Sequence, residues 1–182
     1  MSVDLRLVAA RVAKGDAEAF RQIVEHTRAP LYRLAARLIG DLTEAEDVLQ
    51  DAYVSAFRAL EGGRYDGRSK LETWLYRIVT NACVDALRKR RTRGTTAELK
   101  QDVGFDGHVR SEARVALVEL DAMLSRLSAQ ERTALVLVAV EGMTVKAAAE
   151  ILGCTEGALE QRLVRARSAL RATERAGEAS DG

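Results

Sequence analysis

Apolar residues recur along most of this chain at intervals of three and four, and a single proline, Pro30, interrupts the pattern. That combination excludes strands as the main building unit, because a strand alternates every two residues while a helix repeats every 3.6. The abundant Ala, Leu, Arg and Glu lose little rotamer freedom on a helical backbone. Hydrophobic residues make up 47% of the 182-residue chain and charged ones 30%, so the helices have a core to build and the chain is no disordered tail. The expected fold class is all-α.

Stop and start signals divide the pattern. Leu5, Val8 and Val12 form a first stripe, ended by Gly15-Asp16, and Phe20, Ile23 and Val24 form a second. Pro30 suits the first turn of a third helix, which carries Leu31, Leu34, Ala35, Leu38 and Ile39 and ends at Gly40 as a left-handed cap. Thr43 to Glu46 reads as a capping box opening the next helix, with Ala45, Val48, Leu49, Ala52, Tyr53, Ala56, Phe57 and Leu60 inward. Its opposite face presents Asp47, Gln50, Asp51, Val54 and Arg58. Residues 61–70 hold three glycines without apolar period and form a loop. A long helix starts near Leu71, with Leu71, Trp74, Leu75, Ile78, Val79, Ala82 and Ala86 buried and Arg77, Asn81, Val84, Asp85 and Arg88 outward.

From Thr92 to about Glu112 the periodicity dissolves, as in an interdomain linker. It resumes with Val115, Leu117, Leu120, Leu124 and Leu127, and Ser128 to Glu131 forms a second capping box for a helix closed by Gly142. The expected organisation is therefore two small helical domains, 1–93 and 113–173, joined by a flexible linker at 94–112 and followed by a disordered tail at 174–182.

The sharpest local signal lies in the second domain. Two helices that cross tightly need a small residue at the crossing, a turn residue four later and an apolar residue six after that, and Ala149, Gly153 and Leu159 have this spacing. It describes a helix-turn-helix, whose second helix enters the major groove leading with its N-terminal residues. That face offers Glu156, Glu160, Gln161, Arg162, Val164, Arg165 and Arg167. Arginine reads guanine or holds phosphate and glutamine suits adenine. A packed helical pair is the plain alternative, and the four arginines along this helix, Arg162, Arg165, Arg167 and Arg171, favour DNA.

Net charge is only +1, yet its distribution is uneven. Basic residues concentrate at Arg88 to Arg93 and at Arg162 to Arg171, while Glu44, Glu46, Asp47 and Asp51 form an acidic segment. Two polyanion contacts and a separate protein-binding face fit that distribution. Cys83 and Cys154 make neither a disulfide framework nor a metal-ligand spacing, and His26 and His108 have no ligating neighbours, so no metal and no cofactor are expected. The chain has no signal-peptide pattern and no run of about 18 apolar residues, which implies a reduced, cytoplasmic protein without membrane insertion. Nor does any nucleotide-binding glycine loop or His/carboxylate constellation suggest an enzyme.

Three segments in order now resemble one family. Asp41 to Tyr53 is similar to the polymerase-clamp-binding segment of the extracytoplasmic-function sigma factors of bacterial RNA polymerase. Thr73 to Asn81 followed by Arg88-Lys89-Arg90-Arg91 resembles their promoter-melting helix, and Leu127 to Arg171 resembles their C-terminal domain, which reads the minus-thirty-five element. The resemblance implies a sigma factor that binds core RNA polymerase and promoter DNA under the control of an anti-sigma factor. It assigns Asp47, Gln50 and Asp51, with Val54 as an apolar neighbour, to the polymerase. Arg64, Arg68 and Lys70 fall in a loop that captures a minus-ten base beside Arg77 and Asn81, and Arg88, Lys89, Arg90 and Arg91 hold the opening DNA. Glu160, Gln161, Arg162, Arg165 and Arg167 serve the minus-thirty-five contact. Ala147, Glu160 and Val164 depart from the residues common in the family and bear on which promoter is read. The competing reading is a helix-turn-helix regulator that binds a palindromic duplex as a dimer, with the N-terminal half sensing a ligand or dimerising.

Overall fold

The computed structural model describes the backbone of residues 4–92, 115 and 121–178, and side chains as far as residue 172. Four helices build the N-terminal half: α1 (Leu5–Ala13), α2 (Ala17–Ile39), α3 (Leu42–Glu61) and α4 (Leu71–Thr92). The C-terminal half holds helical residues 121–124, α5 (Ala129–Leu135) running into a π-helical turn (Val136–Val140), α6 (Val145–Leu152) and α7 (Glu156–Glu178). No strand occurs among the described residues. The expected linker at 94–112, and Leu117 and Leu120 of the expected stripe, lie outside them. The last helix continues to Glu178, past the boundary expected at residue 173.

The caps explain most of the boundaries. Asp4, Asp16 and Asp41 each accept a hydrogen bond from backbone N–H groups of the helix they precede, at 3.0, 3.1 and 2.8 Å. Ser128 and Glu131 form the expected capping box, and Thr144 and Thr155 cap α6 and α7. Gly40 and Gly153 end α2 and α6 in the left-handed region, at φ of 81° and 60°.

Two boundaries differ from the sequence expectation. Pro30 does not open a helix; α2 runs through it without a break. The buried row Ile23, Thr27, Leu31, Leu34 and Leu38 passes straight across the proline, and its burial outweighs the lost hydrogen bond. His26, whose carbonyl loses its partner, sits on the exposed side. The α3 cap is Asp41, not Thr43, and Glu46 is drawn away to an ion pair with Arg28 at 2.8 Å. An Asp caps as well as a Thr and lets the helix begin two residues sooner.

The core of the N-terminal half is a layer of Leu and Ile from α1 to α4, including the fully enclosed Ile23, Leu34, Leu38, Leu49, Leu60 and Leu75. Phe20 meets the rings of Tyr53 and Phe57 edge-on, at 6.1 and 5.2 Å between centroids. Tyr53 reaches the hydroxyl of Thr27 at 2.8 Å, which satisfies both buried groups. Cys83 lies in this core, and burial pushes its thiol up to about 12. The C-terminal core gathers Leu124, Leu137, Ala148, Ala149, Leu159, Leu163 and Ala166.

Candidate functional site

The second half of the chain folds as a helix-turn-helix. Ala149 is buried where α6 and α7 cross, Gly153 makes the turn, and Leu159 is fully enclosed beneath it. With these three inward, helical geometry throws Glu160, Gln161, Val164, Arg165 and Arg167 to the solvent, and all five are exposed. Val164 is 64% exposed, an apolar side chain set among charges. Two arginines are steered. Arg165 donates from Nε to Glu131 Oε1 at 3.2 Å, and Arg162, half-buried, points a guanidinium nitrogen to 3.7 Å from the Cys154 sulfur. Hydrogen bonds from Ser128, with Arg165 adding its charge, hold the Glu131 carboxyl below the usual carboxylate range. It therefore stays ionised as an anchor for Arg165.

The acidic face of α3 is as the helical period requires. Ala45, Leu49, Ala52, Tyr53 and Ala56 turn inward, leaving Asp47, Gln50, Asp51 and Val54 exposed on the other side. Val54 is 48% exposed. Neither Asp47 nor Asp51 forms an ion pair among the described residues.

Between α3 and α4 the loop of residues 62–70 is tied down at its centre. Tyr65 donates to the Ser69 carbonyl at 2.7 Å and packs its ring on Trp74 at 5.1 Å. Trp74 is thus a half-buried support for the loop, as its place on the apolar stripe suggested. Arg64, Arg68 and Lys70 are exposed along the loop, with Arg68 3.4 Å from Asp66. On α4, Arg77 and Asn81 are exposed, one turn apart.

Two residues of α4 depart from expectation. Val84, placed outward by the period, is 8% exposed and packed. Arg90, expected among the DNA-holding residues, has only 18% of its side chain exposed. It donates to the Ile39 carbonyl at the end of α2 at 3.0 Å and lies 3.9 Å from Glu44. A cation at the C-terminal end of a helix is held by the exposed carbonyls there. Arg88, Lys89 and Arg91 remain exposed, Arg88 beside Asp85 at 3.6 Å. The sequence also gave no notice of Arg132, 4% exposed and charged; its only trace is a basic residue inside an otherwise apolar row.

Among the described residues, no group of three or more His, Cys, Asp or Glu side chains could hold a metal ion, and no helix is long and apolar enough to cross a membrane. The geometry offers a basic helix-turn-helix, a second polar helix with a braced loop, and an acidic strip beside them.

Comparison with known proteins gives a consistent picture. Residues 23–93 match the family described as Sigma-70 region 2, and residues 117–170 match Sigma-70, region 4. The chain is 37% identical over 167 residues to the ECF RNA polymerase sigma factor SigM of Mycobacterium tuberculosis, covering 92% of this chain and 82% of that protein. It is similar to a solved structure of CnrH in complex with the cytosolic domain of CnrY, with a TM-score of 0.66, 30% identity, and 94% and 97% of the two chains covered. It is also similar to the sigma factor RpoE from Bartonella quintana in complex with the anti-sigma factor NepR, with a TM-score of 0.60, 26% identity, and 86% and 96% covered.

Proposed function

Since the chain belongs to the extracytoplasmic-function sigma factors of bacterial RNA polymerase, we propose the following division of labour over its surface. The protein binds core polymerase and directs it to promoters. Asp47, Gln50, Asp51 and Val54 on α3 form the contact with the polymerase. Arg64, Arg68 and Lys70, with Arg77 and Asn81, capture an unpaired minus-ten base, and Arg88, Lys89 and Arg91 hold the backbone of the opening strands. Arg90 serves instead as a tie between α4 and the end of α2. The N-terminal face of α7 reads the minus-thirty-five element. An anti-sigma factor regulates the protein, as the complex of the similar RpoE with NepR suggests. It works in the cytoplasm as a DNA-binding initiation factor and carries out no catalysis of its own.

The observation that carries this reading is the exposed basic face of α7 on a correctly turned helix-turn-helix. Glu160 and Gln161 come early on that helix, where base edges are reached, and Arg165 and Arg167 follow along the backbone. A carboxylate near the groove repels phosphate but accepts a hydrogen bond from cytosine N4, so Glu160 narrows selectivity without adding affinity. Glu160→Lys therefore tightens binding to all promoters and relaxes discrimination at one base pair. Arg165→Ala weakens every promoter alike and lowers the salt dependence by about one phosphate's worth.

The test is equilibrium binding of promoter fragments by the complex of this chain with core polymerase. One copy of the chain per polymerase is expected, and two copies on a palindromic duplex without polymerase would contradict the assignment. A loss confined to one promoter sequence in Arg165→Ala would make Arg165 a base reader and reverse its role with Glu160.

A further inference from the structure

Helix α1 has no part in the division of labour above, and it lies outside the residues matched to Sigma-70 region 2. Its second residue, Arg6, stands in the first turn, where a cation opposes the helix dipole and adds nothing to the helix. The backbone beneath it is fixed. Asp4 accepts a hydrogen bond from the Arg6 N–H at 3.0 Å, and Leu5 and Val8 are buried. Arg6 itself is exposed and pairs with no carboxylate among the described residues. Its side chain lies instead against the loop between α3 and α4. A β-carbon on Gly67 would stand 3.5, 3.8 and 4.0 Å from Nη2, Nε and Cζ of Arg6, so the Nε–Nη2 edge of the guanidinium faces that glycine. Tyr65 lies within reach of the same charge: burial raises its phenol, and Arg6 opposes that rise.

Resting on the assignment of this loop to the minus-ten base, we propose that Arg6 is a positioning residue for it. The guanidinium braces the loop at Gly67 from α1, while the Tyr65 ring on Trp74 holds it from α4. The loop needs both holds. It contains Gly62, Gly63 and Gly67, the last two at φ of 66° and 70°, and glycines leave an unfastened backbone wide freedom. A pocket that is not ordered before the base arrives must take its ordering cost from the binding of that base. Gly67 is the midpoint of the segment that the Tyr65–Ser69 hydrogen bond closes, so Arg6 fixes the closed turn from a separate helix.

The planar edge matters to this role more than the charge does. A guanidinium lays two nitrogens and the carbon between them along the backbone, a contact that the compact ammonium of lysine does not copy. A direct contact with a phosphate would ask chiefly for charge, and lysine would serve it nearly as well. One conservative substitution therefore separates the two roles. Salt separates them again, since removing a phosphate contact lowers the salt dependence of DNA binding by about one ion's worth and removing a brace does not.

Arg6→Ala and Arg6→Lys in the full chain test the brace. Trp74 is the single tryptophan and rests against Tyr65, so quenching of its fluorescence by acrylamide reports on the loop. Trypsin, cutting after Arg64, Arg68 and Lys70, reports on it independently. In both variants quenching is expected to rise and cleavage in the loop to quicken about fivefold, the order of the entropy regained when one residue is freed. With core polymerase, permanganate reactivity of minus-ten thymines should fall by about the same factor, while the closed complex and its salt dependence stay unchanged. Unchanged quenching and cleavage would overturn the brace, whatever happens to transcription. Both measurements need no polymerase, so this failure leaves the assignment of the loop itself standing. Restoration by Arg6→Lys, with a lowered salt dependence in Arg6→Ala, would overturn the brace in favour of a phosphate contact. A loosened loop with undiminished opening would take the loop, and Arg6 with it, out of base capture.

Discussion

Replacing Asp47 and Asp51 together by arginine is expected to abolish binding to core polymerase while leaving helical content unchanged. Both carboxylates are exposed on α3, and neither pairs with another side chain among the described residues. Exchanging them therefore asks little of the fold, as for most surface positions away from caps and cores, where changes stay within about 0.5 kcal/mol. Across an interface the same exchange sets like charges against the surface that carboxylates had matched, at a cost of several kcal/mol. Affinity should fall about a thousandfold. Val54→Ala, which trims an exposed apolar side chain beside them, should cost far less. Unaltered affinity of the double variant, measured by competition for core polymerase, would remove α3 from the interface.

The second large effect is expected at Asn81. Extruding a base from the duplex costs a few kcal/mol, and the pocket that receives it must supply hydrogen bonds. Asn81 stands exposed on α4, one turn from Arg77, with the Arg64 to Lys70 loop braced nearby by Tyr65 on Trp74. Asn81→Ala removes hydrogen bonds worth roughly 1 to 3 kcal/mol, so the open complex should weaken about ten- to a hundredfold while the closed complex is nearly unchanged. Permanganate reactivity of minus-ten thymines measures the first, and a mobility shift on duplex measures the second. Equal losses in both would mean that Asn81 contacts duplex DNA and traps nothing.

Local chemistry explains which features could be read in advance. The helix-turn-helix was legible because its spacing is a packing requirement: Ala149 at the crossing, Gly153 with positive φ, and Leu159 beneath. Gly40 and Ser128 were legible as caps because each satisfies a backbone group within four residues. The exposed face of α3 followed from its period alone.

What escaped depends on contacts between distant elements. A periodicity argument assigns Val84 to solvent because it sees one helix and not the neighbour packed on it. Arg90 reads as one more cation in a basic run until the end of α2 is placed beside it. Pro30 looked like a helix start because local preference favours that position, and the row of Ile23, Leu31, Leu34 and Leu38 on both sides overrode it. The π-helical turn at Val136–Val140 carries no mark in the composition of five apolar residues. Arg132 shows most clearly what a pattern cannot give, since its partners, Asp121 and the Arg37 carbonyl, lie 11 and 95 positions away.

Run-off transcription with purified core polymerase on a library of genomic fragments tests the central claim most directly. Polymerase alone should give no specific transcripts. Addition of this chain should yield discrete run-off products whose templates share a minus-ten and a minus-thirty-five element at fixed spacing, and the Asp47→Arg, Asp51→Arg variant should yield none. Specific binding of the chain to duplex DNA as a dimer, with no polymerase-dependent transcript from any fragment, would contradict it.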